Sequence, residues 1–411
     1  MYINGEFTTG KSIDRIAIIN PATEEIIDDV SRGTPEDVAS AVQAAKEAFY
    51  EWRRVPANER AAALHEVATK IRSHHDEIVR LITQEEGKPI PENEEELWWV
   101  EETFDYYAEI ARHERGRVIP PGEQGQFNFI IKEPYGVVGC IVPWNYPLLL
   151  LVWKMAAALA AGNTVVIKPS ELTPLSTLRL VEVACDHLPP GVVNVVTGYG
   201  PEVGEALVMH PKVPVIAFTG SLAVGQHIAK LAGPMMKKLH LELGGKDPMV
   251  IAPDVDIATA VSGTAYAALI NTGQVCTSTE RVYVHESIMP QFSEEIADFV
   301  SKLRLGNGLD PETDIGPMIR NKFREKVEGQ LSDAVASGAE ILVGGSRPSQ
   351  FAKGFFLEPA VVTKVNHSMD LMREETFGPV IPLMPYKSID DAIELANDCK
   401  YGLGACLMTH D

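Results

Sequence analysis

The chain has 411 residues, 45% hydrophobic and 23% charged, which fits a globular enzyme of two or more domains rather than a disordered or fibrous protein. Its formal charge of −21 repels phosphate backbones and anionic bilayers, so neither nucleic acid nor a membrane is expected as a partner. Five cysteines (140, 185, 276, 399, 406) form no Cys-x-x-Cys pair and suit no disulfide framework. With a polar segment at residues 1–10 in place of a leader, they point to a reducing, cytoplasmic setting.

After a short N-terminal hairpin the first third reads as helical. Thr34-Pro35-Glu36-Asp37 carries a capping hydroxyl, a proline at the first helical position and acids near the positive end of the dipole. Leu64, Val67, Ile71, Ile78, Leu81 and Ile82 mark one helical face, which Gly87 and Pro89 end. Pro120-Pro121-Gly122 and the alternation of Phe127, Phe129 and Ile131 predict a hairpin arm. Apolar runs at 137–142, 164–167, 192–196, 213–218 and 238–243 alternate with helical patterns, which predicts a parallel, doubly wound α/β sheet with its ligand beyond the strands' carboxyl ends. The apolar run 148–161 is too short for a bilayer, which needs roughly 20 residues, and reads as a buried helix. A second α/β region follows Gly245.

Four segments carry chemistry. In Asn271-Thr272-Gly273-Gln274-Val275-Cys276 a cysteine follows a glycine among small and polar residues, so its sulfur could be exposed as a nucleophile; taken alone, a buried structural thiol is the favoured reading. Glu242 ends an apolar strand between two leucines, where desolvation would raise its pKa and suit it as a general base; pairing with Lys246 is an equal alternative. Asn145, in Pro143-Trp144-Asn145-Tyr146-Pro147, could donate to an oxyanion or cap the helix that follows. Gly220 and Ser221 open a helix after a strand and offer free N–H groups to a pyrophosphate, while Lys168 and Glu171 could reach ribose hydroxyls. The run Gly198 to Gly204 imitates a dinucleotide fingerprint with its last interval one residue too long, no P-loop is present, and the adjacent His74-His75 falls on a polar helix face with no zinc spacing, so no metal is expected.

Together PWNYP (143–147), KPSELTP (168–174), FTGS (218–221), LELGGK (241–246), NTGQVC (271–276) and EETFGP (374–379), in this order, resemble the aldehyde dehydrogenase superfamily in its acid-forming branch. The resemblance implies an α/β fold with a doubly wound, Rossmann-like cofactor domain at 1–115 and 135–244, an oligomerisation hairpin arm at 116–134 and a second α/β catalytic domain at 245–411. It implies Cys276 as nucleophile, Glu242 as general base, and Asn145 with the Cys276 N–H as oxyanion hole. NAD, with NADP as the alternative, would contact Trp144, Lys168, Ser170, Glu171, Gly220, Ser221, Leu243, Glu375 and Phe377. Tyr146 and Trp153, taken as seven residues apart on one helix, would form an aromatic wall for the substrate beside Val275 and Thr277. Val275 and Glu280-Arg281-Val282-Tyr283-Val284 resemble branches acting on small hydroxyaldehydes, the aromatic wall those acting on amino- and betaine aldehydes.

A homodimer or homotetramer is expected. Family members continue beyond the position of Asp411, so a truncated form with reduced stability, altered assembly or weak activity is expected; a cofactor-binding homologue without turnover and a CoA-acylating thiol enzyme are the alternatives.

Overall fold

The computed structural model describes residues 1–113 and 116–411. It divides into two compact units: Met1–Ile18, Asp28–Ile82 and Glu94–Glu242 form the first, and Ile19–Ile27, Thr83–Asn93 and Leu243–Asp411 the second. Residues 19–27 and 83–93, which the sequence grouped with the cofactor domain, belong to the second unit because their polar groups are satisfied there. Phe355 N–H donates to the Pro21 carbonyl at 3.0 Å, Gly354 N–H to the Glu24 carboxylate at 2.7 Å, and Ile90 N–H to the Gly308 carbonyl at 3.0 Å. The expected boundary at residue 115 lies outside the described residues.

The first unit holds a seven-stranded sheet in the order Lys238–Glu242, Val215–Thr219, Val137–Ile141, Thr164–Lys168, Val193–Val195, Tyr2–Ile3, Glu6–Phe7. The first five strands are parallel, as the sequence predicts, and the N-terminal hairpin adds antiparallel edge strands. Strand order reverses between Val137–Ile141 and Val215–Thr219, so the chain leaves these neighbours in opposite lateral directions and opens a crevice at their carboxyl ends.

The helix Pro35–Trp52 starts where expected, with Thr34 and Asp37 exchanging side-chain-to-backbone bonds in a capping box. The predicted single helix ending near Gly87 is two helices, Ala57–Ser73 and His75–Glu86. The histidine pair therefore sits at the break rather than along a helix face, and His75 Nδ1 meets Glu101 at 2.9 Å. The apolar run becomes the buried helix Leu149–Ala160. Among the described residues no helix is long and apolar enough to cross a membrane. The hairpin Arg117–Ile119 with Asn128–Ile130 stands apart from the main sheets, with Val118, Phe127, Phe129 and Ile131 exposed.

The second unit holds a six-stranded sheet in the order Glu340–Val343, Ala360–Thr363, Val380–Tyr386, Thr279–His285, Asp247–Ile251, Cys406–Met408, parallel except for the first pair. Two buried clusters flank it, one around Tyr283, Leu357 and Met372, the other around Ile251, Val282 and Phe292. Three adjacent parallel strands, Asp247–Ile251, Thr279–His285 and Val380–Tyr386, are each preceded by one of the motifs above, so the turns LGGK, NTGQVC and EETFGP reach the same end of the sheet.

The helix Leu149–Ala160 begins without a side-chain cap of its own. Its first N–H groups at Leu148 and Leu149 both donate to the buried Glu96 carboxylate at 3.0 Å, which replaces the cap that Asn145 was the candidate for. Glu96→Ala is expected to cost about 2 kcal/mol, since it removes charge-assisted caps from a buried helix end. Differential scanning calorimetry would show this as an unfolding midpoint several degrees lower.

Candidate active site

At the crevice of the first unit the strand Val137–Ile141 leads into Pro143 to Pro147. Asn145 is buried, while Trp144 and Tyr146 are half-buried. The neighbouring strand Val215–Thr219 leads into Gly220 and Ser221. Ser221 caps the helix Leu222–Ala232 by accepting from Val224 N–H at 3.4 Å, and Gly220 N–H donates to the Glu242 carbonyl at 3.0 Å. The exposed first turn of that eleven-residue helix presents N–H groups and the positive end of its dipole, a fit for a diphosphate. One strand over, Lys168 is buried and its Nζ meets Glu171 Oε2 at 3.1 Å; burial holds the Lys168 pKa below its ordinary value, with Glu171 opposing. Ser170 is buried and accepts from Leu172 N–H at 3.2 Å.

Trp153 lines a cavity of about 1080 Å³ with Trp99, Tyr106, Tyr107, Glu102 and Glu242. Tyr146 precedes the helix that carries Trp153, so the two do not share a helical face as the seven-residue spacing suggested. Glu242 is the last residue of the edge strand Lys238–Glu242 and is exposed, so the burial expected around its carboxylate is absent. The glycine run 198–204 is no phosphate cradle. It forms a π-helical turn, Gly200–Gly204, whose Glu202 is paired with Arg32.

In the second unit the Cys276 turn carries three consecutive left-handed residues, Asn271 (φ 48°), Thr272 (φ 57°) and Gly273 (φ 70°). A non-glycine residue held this way costs about 1–3 kcal/mol, so the surroundings must enforce it. They do so with side-chain hydrogen bonds. Asn271 N–H donates to Glu92 at 2.6 Å and its side-chain amide to Glu86 at 2.8 Å, while Thr272 Oγ1 donates to the Gly316 carbonyl at 3.1 Å. The Gln274 side chain donates to the Asn271 carbonyl and accepts from Ile319 N–H, each at 3.0 Å. Cys276 and Val275 end up half-buried and Thr277 exposed. Cys140 and Cys185 are fully buried, which pushes their thiols up to about 12 and removes them as nucleophiles at neutral pH.

The glycine pair 244–245 lies under two neighbouring turns. A methyl on Gly244 would overlap the Glu375 carboxylate, and one on Gly245 would overlap the Cys276 carbonyl and stand 2.8 Å from Asp247 Oδ1. Gly245 N–H donates to Glu375 Oε1 at 3.3 Å. Burial, and next the charge of Glu280, pushes Glu375 up to about 7, with Lys326 opposing. Lys246 pairs with Glu280 Oε2 at 2.7 Å, so its partner is not Glu242. Leu243 is half-buried, and Phe377 is half-buried and left-handed at φ 54°.

A family model described as the aldehyde dehydrogenase family matches residues 7–411. The chain belongs to that family. It is similar to a chloroplastic aminoaldehyde dehydrogenase of Arabidopsis thaliana, 40% identical over all of this chain and 84% of the relative. It is 41% identical to a chloroplastic betaine aldehyde dehydrogenase of Amaranthus hypochondriacus over the same shares. Among solved structures it resembles the betaine aldehyde dehydrogenase of Staphylococcus aureus in complex with NAD+, at TM-score 0.98 and 39% identity over 100% of this chain and 82% of that one. It also resembles an NADP-dependent enzyme of E. coli, at TM-score 0.97 and 36% identity over 100% and 85%.

Sequence reasoning named no role for Glu86, Glu92, Gln274 or Glu280 in this aldehyde dehydrogenase, although all four hold turns of the site. Glu86 continues the apolar stripe of Ile78 and Ile82, and a carboxylate on such a stripe is the signal that could have found it. The glycine pair generates a test. In Gly245→Ala the added methyl meets backbone, so a loss of about 1–3 kcal/mol is expected, together with slower alkylation of Cys276 by iodoacetamide. Gly244→Ala meets only a movable carboxylate and should cost less. Peptide mass spectrometry would read Cys276 separately from Cys399 and Cys406.

Proposed function

We propose that the chain oxidises an aldehyde to a carboxylic acid through a thioester on Cys276, with NAD as cofactor and NADP as the alternative. The observation that supports this most is the common origin of three turns at one end of the second sheet. They put the backbone carbonyl of Cys276, whose side chain is half-buried, and the Glu375 carboxylate against the same pair of glycines. In the first unit the exposed helix start at Ser221, the Lys168–Glu171 pair and the crevice above the strand reversal fit a dinucleotide. Glu171 places negative charge where a 2′-phosphate would lie, which favours NAD.

The Cys276 thiolate attacks the aldehyde carbon and forms a C–S bond, and the carbonyl electrons move onto oxygen. The Asn145 side-chain amide and the Cys276 N–H donate to that oxyanion, where one such donor is worth about 2.7–4 kcal/mol. NAD, which Ser221, Lys168, Glu171 and Glu375 would hold, would supply the hydride acceptor needed for the tetrahedral adduct to re-form its carbonyl. Glu242 takes a proton from water, the resulting hydroxide adds to the thioester, and the C–S bond breaks to return the thiolate. The exposure of Glu242 gives water direct access to it.

For substrate we infer a small aldehyde bearing an amine or quaternary ammonium group. The cavity of Trp99, Trp153, Tyr106 and Tyr107 offers ring faces, Glu102 and Glu242 add negative charge, and the relatives named above are amino- and betaine aldehyde dehydrogenases. Assembly into a homo-oligomer through the exposed hairpin, with its row of apolar side chains, belongs to the same reading.

With saturating NAD and a panel of short aldehydes, Cys276→Ala is expected to abolish NADH production, and Glu242→Gln to leave a single-turnover burst while slowing steady turnover by about 100-fold or more. A Cys276→Ala protein that turned over normally would end the reading. Trp153→Ala is expected to lower kcat/KM about tenfold for cationic aldehydes and much less for neutral isosteres, as loss of a desolvated ring face predicts.

Glu375 gives a pH test. Its folded value of about 7 lies above the ordinary 4.5, so ionisation destabilises the fold increasingly as pH rises from about 4.5 and fully above 7. As a ribose acceptor it works as the carboxylate, so NAD affinity is expected to rise as pH climbs through 7. Glu375→Gln should weaken NAD binding yet raise the unfolding midpoint above that of the wild type by more at pH 8 than at pH 5.

A further inference from the structure

The sequence segment Glu280-Arg281 opens the strand Thr279–His285, and both residues are buried. Consecutive strand residues point to opposite faces, and here each grips a different turn. Arg281 Nε donates to the Lys246 carbonyl at 2.7 Å, with its other nitrogens on the Leu395 and Ala396 carbonyls and the Tyr283 hydroxyl. Glu280 faces the turn of residues 374–378. Its Oε2 accepts from Thr376 N–H at 2.7 Å and its Oε1 from Phe377 N–H at 2.8 Å. Lys246 neutralises it, with Nζ 2.7 Å from Glu280 Oε2 and 2.9 Å from Thr376 Oγ1.

We infer that Glu280, with Lys246 as its counter-ion, is a positioning residue for cofactor binding: it fixes the backbone of residues 376–377 and thereby the places of Glu375 and Phe377. This rests on the reading above that Glu375 and Phe377 hold the nicotinamide end of NAD. The geometry is specific to that turn. Both carboxylate oxygens are spent on successive amides, and the second of these belongs to Phe377, whose left-handed backbone needs such support. Paired amides on a single carboxylate fix an orientation that one bond would leave free. The oxygens bind the amides of 376 and 377 and the Lys246 ammonium, so the effect should fall on the cofactor rather than on the aldehyde.

The charge of Glu280 also acts on Glu375 directly. It raises that carboxyl along with burial, against Lys326 from the helix Asn321–Ala336, whose Nζ donates to the Glu375 carbonyl at 2.8 Å, and against Gly245 N–H and Lys246. Glu374, paired with Lys400, and Tyr401 complete the charged and titratable groups at this turn. Neutralising Glu280 therefore lets Glu375 ionise at lower pH.

The test is titration of NAD+ by quenching of tryptophan fluorescence between pH 6 and 8.5, with KM for NAD+ and for the aldehyde measured beside it, on the full chain, Glu280→Gln and Glu375→Gln. Glu280→Gln is expected to weaken NAD+ binding about tenfold, the loss of one to two charge-assisted bonds. It should also move the acid limb of binding to lower pH and leave the aldehyde KM unchanged. A merely structural role would lower stability and raise both KM values together without moving the limb, and that result overturns the proposal. So does wild-type NAD+ affinity in folded Glu280→Gln while Glu375→Gln binds weakly, an outcome that leaves the cofactor reading intact. Wild-type affinity in Glu375→Gln removes that reading and this inference with it. If an unpaired buried Lys246 prevents Glu280→Gln from folding, the neutral pair Glu280→Gln with Lys246→Met decides: weaker NAD+ binding at constant aldehyde KM supports the role, and unchanged binding overturns it.

Discussion

Backbone contact between turns is the constraint on which the second unit depends. Parallel neighbours in a sheet all begin at the same end, so whatever precedes them is crowded together. Here the turns before Asp247–Ile251, Thr279–His285 and Val380–Tyr386 meet so closely that the carboxylate of one and the carbonyl of another crowd the places where Cβ atoms on Gly244 and Gly245 would stand. In the first unit the order reverses between Val137–Ile141 and Val215–Thr219, and the candidate dinucleotide groups gather at carboxyl ends instead. The two sheets thus present opposite ends, one through turns that follow strands and the other through turns that precede them.

Buried charge serves geometry more than stability in this molecule. Taking Lys246 and Glu280 out of water is expensive, and a well-packed apolar pair of similar volume would often do as well or better for the fold. What an apolar pair cannot do is accept two backbone N–H groups. Glu96 likewise accepts two under the helix Leu149–Ala160, while under the Cys276 turn Glu92 accepts the Asn271 N–H and Glu86 the Asn271 side-chain amide. In each case a carboxylate accepts from amides that a helix start or a turn directs at it. These acids explain part of the charge of −21 that composition alone could only assign to solubility.

The alternation of strands and helices, the capped helix after Thr34 and the buried run around Leu151 were legible from period and punctuation, because local patterning and the final packing agree there. The candidate site was legible through motifs whose order along the chain carried the family resemblance. The break at His74 was hidden because the apolar face continues through it from Ile71 to Ile78. The exposure of Glu242 was hidden because its leucine neighbours are themselves only half-buried on an edge strand. The assignment of residues 19–27 and 83–93 to the second unit depends on hydrogen bonds to residues hundreds of positions away, which no local window contains. The pairing of Lys246 with Glu242 stayed an open alternative for the same reason: the carboxylate that Lys246 meets, Glu280, lies across the strands rather than nearby in sequence.

The glycine pair has a consequence for how such a site can change over generations. Its decisive feature is missing matter, and most surveys of function delete atoms to see what is lost. Trimming side chains would pass over Gly244 and Gly245 entirely, whereas every amino-acid substitution there adds volume. Drift at these two positions can run in only one direction, toward crowding, so lineages that keep the chemistry must keep purging it.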